Sequence, residues 1–258
     1  MGDKDGPSLH PSDKFARLRG LVRPPPSWLD WEFSMNFLGR PTSVVLVALI
    51  ERFWFITPNH ITLAAFLCLL VASGLMIHDP TQSWTIAALL FARMVLDDSD
   101  GMLARFRGQT SRFGSYLDKV TDAIGFLVLG TAVGIRAYYE SHSVVPLIAS
   151  EAGAFSVLLM GYVKHVAQLE ETLVKRPVPA AHVADRFPPW PKFVFGTIAH
   201  LAIPMESDLV MAAAVAAVIG RYEWLAWTYL VVNGLGALIQ VFRRGKAIET
   251  IDREVPRQ

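Results

Sequence analysis

Five aspartates crowd one short stretch, VLDDSDGMLARFRGQTSRFGSYLDKVTDAIGFLVLG, residues 95–130: Asp97, Asp98, Asp100, Asp118 and Asp122. Long apolar runs flank it on both sides. Carboxylates set among segments that suit lipid are costly unless something neutralises them. Any fold this chain adopts has to bring these acids to one another, to a cation or to water.

The 258 residues are 52% hydrophobic, which alone decides little. The distribution decides more. Apolar residues bunch into long runs and charges bunch between them, the pattern of a polytopic membrane protein. With 24 Lys and Arg against 23 Asp and Glu, the net charge is +1, and no global field points to nucleic acid. The single cysteine, Cys68, excludes an intrachain disulfide and reads as a small buried hydrophobe. Residues 1–30 are polar, so no cleavable signal peptide is expected and internal spans would drive insertion.

The expected fold is an all-α integral membrane protein with six transmembrane helices and an N-terminal interfacial amphipathic helix. Residues 1–27 read as a basic, partly disordered tail. SVVLVALIERFWFI, 43–56, is too short and too charged to span and suits the interface. Spans are expected near 60–77, 82–106, 113–138, 144–166, 207–220 and 223–242. Residues 167–192 are polar and proline-rich, and 193–204 read as a short helix in the interface. Domain organisation is expected as a tail plus interfacial helix (1–56), a six-helix transmembrane domain (57–245) and a C-terminal tail (246–258). Lys and Arg crowd the N-terminal tail, the loop at 105–112, the loop at 164–192 and the segment after 242, whereas the turns at 78–83 and 139–143 have none. Six spans with both termini cytoplasmic satisfy the positive-inside rule at every loop.

At 100° per residue, Asp97, Asp100, Gly101 and Ala104 share one helical stripe, and Asp98 points away as a solvated residue. On the next helix Gly114, Asp118, Thr121, Asp122 and Gly125 share a second stripe. A short loop makes the two helices antiparallel neighbours. Four carboxylates then converge, and no Lys or Arg is expected on either stripe. An all-oxygen set of this kind suits two divalent cations, Mg²⁺ or Mn²⁺. The small residues permit close approach of a helix or a ligand. Arg105 is placed to hold a phosphate oxygen.

Asp97-x-x-Asp100-Gly101-x-x-Ala104-Arg105, followed by eight residues and Gly114-x-x-x-Asp118-x-x-x-Asp122, resembles the signature of the CDP-alcohol phosphotransferase family. TPNHIT, 57–62, resembles the start of that family's first span. The resemblance implies transfer of a phosphoalcohol from a CDP-alcohol donor to a hydroxyl acceptor, with release of CMP. It implies one metal on Asp97, Asp100 and Asp118 and another on Asp97, Asp118 and Asp122. It implies that Gly101, Ala104, Arg105, Ser111 and Gly114 line the cytidine-diphosphate site, that Asn59 and Thr62 close it, and that Asp122 is the general base.

The expected donor is CDP-diacylglycerol, and the expected acceptor is a small polar alcohol. Members that make phosphatidylglycerophosphate tend to carry Lys after the last aspartate, and those that make phosphatidylinositol phosphate tend to carry Arg. This chain has Ala123. Cations for a phosphorylated acceptor would come from Arg93, Arg112, Lys119, Lys164 or Lys192. His165 and His200 read as interfacial bystanders. Membrane lipid is an expected partner, nucleic acid is not, and a homodimer in a bacterial or archaeal cell membrane is the expected setting. A CDP-linked polar donor is the alternative within the class. A transporter would instead bury acids near the bilayer centre between repeated halves, and no halves repeat. A non-catalytic scaffold would most cheaply lose an aspartate, and all four are present.

Overall fold

The computed structural model describes residues 11–21, 34–173 and 206–254. Among them no strand occurs. The central helix is α3 (Pro58–His78), whose start is written into the sequence. The Thr57 side chain accepts from the His60 amide, the His60 ring accepts from the Thr57 amide, and Pro58 takes the first turn. Its 21 residues give a rod of about 31 Å, the thickness of a bilayer core.

Helix α4 (Ser83–Phe106) runs back beside it, and α5 (Arg112–Ser141) starts after five residues, capped by the Ser111 hydroxyl accepting from the Gly114 amide at 2.9 Å. Helix α6 (Val144–Leu173) follows a tight turn in which His142 takes a left-handed conformation. Helix α7 (Glu206–Ile219) is short and ends at Gly220, where a φ of +67° suits glycine alone. The last rod comprises α8 (Tyr222–Thr228), a wide π turn (Tyr229–Asn233) and α9 (Gly234–Glu254). Helix α3 packs on α4 and α5, α5 on α6, α4 on α7, and α6 on the final rod.

Among the described residues, four stretches are long and apolar enough to cross a membrane: Pro58–His78, Arg112–Ser141, Val144–Glu170 and Tyr222–Ile251. Helix α4 has the length but carries Arg93, Asp97, Asp98 and Asp100, and α7 has only 14 residues. Large apolar side chains point outward along these rods, including Leu63, Leu67, Val71, Ile148, Phe155 and Leu238. An apolar shell of this extent belongs against lipid. The interior holds Leu69, Met76, Leu90, Leu129, Val133 and Tyr229. Cys68, expected to be buried, is only half-buried on α3.

Small residues set the interior spacing, as expected where helices cannot gain by hiding apolar surface from lipid. A Cβ on Gly130 would sit 2.7 Å from the Ala154 methyl, and one on Gly134 2.7 Å from Leu147. One on Gly153 would lie 2.5 Å from the Tyr229 carbonyl carbon, so α6 rests directly on the π turn.

The N-terminal segment departs from expectation twice. Residues 11–20, expected as tail, form helix α1 (Pro11–Gly20). The interfacial helix begins earlier and ends earlier than expected: a π turn (Met35–Gly39) leads into α2 (Arg40–Ile50), and 51–56 form turns. The reason is Arg107 at the end of α4. Its guanidinium donates to the carbonyls of Ile56, Glu51 and Phe53 at 2.5, 2.7 and 2.9 Å, satisfying backbone oxygens that continued helix would otherwise pair. The interfacial stretch at 193–204 lies outside the described residues.

Candidate functional site

The acids lie on the facing turns of α4 and α5, beside the first two turns of α3. One carboxylate oxygen from each of Asp97, Asp118 and Asp122 lies within 4.8 Å of the others. Asp100 is buried, and the Thr62 hydroxyl of α3 donates to its Oδ2. That bond ties the first turns of α3 to the acidic stripe of α4.

A cavity of about 360 Å³ opens beside these acids. Asn59, Thr62, Gly101, Ala104, Arg105, Ser111 and Gly114, which the family resemblance implies as nucleotide-binding, all line it, together with Asp100 and Asp118. Gln109, Thr110 and Ser115 also line it and were not singled out from the sequence; their place in the loop and first turn beside Ser111 is the signal that could have found them. Asp97 and Asp122 face a narrower cleft with Arg93 and Thr121, which shares Thr62 with the cavity.

Two glycines make room here. A Cβ on Gly101 would lie 3.1 Å from Nη1 of Arg105, so the guanidinium lies over that bare backbone. A Cβ on Gly114 would meet the Ser111 hydroxyl and the Asn59 side-chain oxygen at 3.1 and 3.3 Å.

Arg93 changes the electrostatic account. It stands one turn before Asp97 on the acidic stripe, where no cation was expected, and it is only 6% exposed. Its Nη1 lies 3.1 Å from Asp97, and its Nη2 donates to Asp122 at 2.5 Å. It therefore bridges α4 and α5 from within. The i, i+4 spacing of Arg93 and Asp97 was visible in the sequence; the bond to Asp122 was not. Asp98 also differs from expectation. It is no solvated residue but lies against Ser43 and Arg40 of α2, because α2 packs along that side of α4.

Of the other cations, Lys119 lines the cavity. Arg112 and Lys164 are exposed and do not. His165 is exposed on α6. Lys192 and His200 lie outside the described residues.

The donor set fits a hard divalent cation. All its ligands are carboxylate oxygens, and a spread of up to 4.8 Å is close to the roughly 4.2 Å across a Mg²⁺ shell of about 2.1 Å radius. Arg93 supplies one positive charge against the three carboxylates of the cluster, so the balance of charge also favours a bound cation.

Residues 55–233 match the profile of the CDP-alcohol phosphatidyltransferase family, which is more than half of the chain. The chain belongs to that family. The matched region contains α3 to α5 and both acidic stripes, while α1 and α2 precede it. Over 77 residues, 29% of this chain and 38% of the relative, it is 40% identical to the inner membrane protein YnbA of Escherichia coli. Over 82 residues, 31% of this chain and 42% of the relative, it is 37% identical to an archaetidylinositol phosphate synthase of Pyrococcus horikoshii. Less than half the length of each relative is spanned. With its apolar helices and membrane-protein relatives, this CDP-alcohol phosphatidyltransferase family member is an integral membrane protein.

Proposed function

We propose that the protein transfers a phosphatidyl group from CDP-diacylglycerol to the hydroxyl of a small polar alcohol and releases CMP, in phospholipid synthesis. The observation that carries this reading is the cavity of about 360 Å³ lined by the signature residues, with an all-carboxylate cluster beside it. In this reading the chain crosses the membrane six times, α4 and α7 included, with both termini cytoplasmic.

Two divalent cations, Mg²⁺ or Mn²⁺, held by Asp97, Asp100, Asp118 and Asp122, would neutralise the diphosphate and the leaving CMP. The side chains do the rest. Arg105 holds a diphosphate oxygen with its planar fork. Gly101 and Gly114 let the nucleotide approach the backbone. Thr62 orients Asp100 by its hydrogen bond. Arg93 holds Asp122 in place across the helix interface. Asp122 takes the proton from the acceptor hydroxyl as the new phosphate ester bond forms and the bond to CMP breaks. Lys119, on the cavity wall, is placed to meet an acceptor that carries a negative charge.

The test uses the purified chain in detergent with Mg²⁺ or Mn²⁺, CDP-diacylglycerol and a panel of acceptors: inositol 1-phosphate, glycerol 3-phosphate, inositol and serine. Inositol 1-phosphate is tried first because one relative is named an archaetidylinositol phosphate synthase. CMP release with one acceptor, absent in Asp122→Asn, is the expected result. Silence with every acceptor, followed by CMP release from a CDP-linked polar alcohol, would overturn the lipid donor and keep the reaction class.

A further inference from the structure

Helix α1 precedes the residues that match the family, yet the chain just past it bonds Arg105, a residue of the cavity wall. Its described side chains are exposed with one exception. Leu18 is fully buried, inserted among Val44 and Val47 of α2, Ile61 of α3, and Met102 and Leu103 of α4. Arg17 lies over the Phe106 ring at 4.8 Å, and Leu21 packs on the same cluster. One apolar plug and one cation–ring contact therefore fasten the helix to the last turns of α4.

Those turns carry Arg105. Just past the end of α1, the Leu21 carbonyl accepts from Nε of Arg105 at 3.2 Å. A carbonyl at a helix C-terminus lacks an intrahelical donor and lies at the negative end of the helix dipole, so a guanidinium is a favoured partner. With Nε held there, the Nη groups lie over Gly101, on the cavity wall. Arginine has many rotamers, and holding one of them in advance lowers the entropy lost when an anion binds.

We propose that helix α1 positions Arg105, so that nucleotide affinity depends on a segment outside the family domain. Leu18 and Leu21 are positioning residues: neither touches the nucleotide, and both act through Arg105. The inference rests on the reading of Arg105 as a diphosphate-binding residue.

The experiment measures CDP binding to the full chain in detergent with Mn²⁺, by calorimetry, in the wild type, Leu18→Asp, Leu18→Met, Arg105→Ala and the Leu18→Asp/Arg105→Ala pair. Leu18→Asp, which puts a charge in the apolar socket, should weaken CDP about tenfold, the scale of one hydrogen bond to a charged group. Leu18→Met should stay within about twofold, since it conserves volume and polarity. On the Arg105→Ala background, Leu18→Asp should add less than about twofold, because the two changes act through one contact. Mn²⁺ bound per chain, read by electron paramagnetic resonance, should be the same in Leu18→Asp as in the wild type. Full multiplication of the two effects, or an unchanged CDP affinity in Leu18→Asp, would overturn the inference alone. An unchanged affinity in Arg105→Ala would overturn the diphosphate reading and the inference with it. Should Leu18→Asp fail to fold, amide exchange on the wild type decides. By reciprocity CDP should slow exchange within residues 11–21. No slowing there would refute the proposal.

Discussion

Glycine does opposite work in two regions of this molecule. Where α5 and α6 meet, and where α6 meets the final rod, Gly130, Gly134 and Gly153 let helices approach closely, and an added methyl would strike the Ala154 methyl, the Leu147 side chain and the Tyr229 backbone respectively. Beside the acids, Gly101 and Gly114 hold space open, and an added methyl would meet the ends of Arg105, Ser111 and Asn59 side chains. The first region is closely packed, and the second leaves a cavity of about 360 Å³ that the proposed function fills with the nucleotide. The four signature aspartates sit beside the open region.

Five measurements would break or sharpen that comparison. The largest effect belongs to the open region. Asp122→Asn should lower CMP release by about 10²–10⁴-fold while the melting temperature in detergent falls less than in Arg93→Gln, because Arg93 keeps Asp97 as a partner. A large fall in melting temperature would mean that the acid is structural. Chelation with EDTA should silence CMP release just as fully, and added Mn²⁺ should restore it. Arg93→Gln comes next, because it strips the partner from two partly buried carboxylates. A loss of about 3 kcal/mol in stability is expected, read by thermal or denaturant unfolding, together with weaker Mn²⁺ binding. Tighter Mn²⁺ binding instead would show that Arg93 competes with the cation rather than preparing its site.

Gly153→Ala tests the closed region. A methyl placed 2.5 Å from the Tyr229 carbonyl carbon should cost about 1–3 kcal/mol, with the CDP affinity of the folded fraction unchanged. The smallest effect is that of Gly101→Ala, whose methyl meets only the guanidinium end of Arg105. CDP binding should weaken by a few fold, on the order of 1 kcal/mol, with no change in melting temperature. If Gly101→Ala unfolded the protein and Gly153→Ala did not, the two regions would have been assigned the wrong way round.

Much of the site was legible before any coordinates. The spacing of Asp97, Asp100, Gly101 and Ala104, and of Gly114, Asp118 and Asp122, is a property of helix geometry, and the five residues joining α4 to α5 leave the two stripes little choice but to face each other. The helix starts were expected near 60 and 113, and the caps at Thr57 and Ser111 set them at Pro58 and Arg112, because a cap serves the amide three residues on. Boundaries within the N-terminal segment were less so. Nothing near residues 51–56 announces that Arg107 will draw up their carbonyls, so the apolar run there reads as helix to its end.

What the sequence by itself determined is therefore what depends on neighbours within about one helical turn: the rods, their caps, and which acids share a face. The tertiary structure alone decided that Arg93 reaches across to Asp122, that Asp98 is covered by α2, and that Leu21 holds Arg105 from 84 positions away. Each of those contacts joins side chains or backbone on different helices. Their existence depends on which faces pack together, and burial of the apolar stripes as a whole sets that choice.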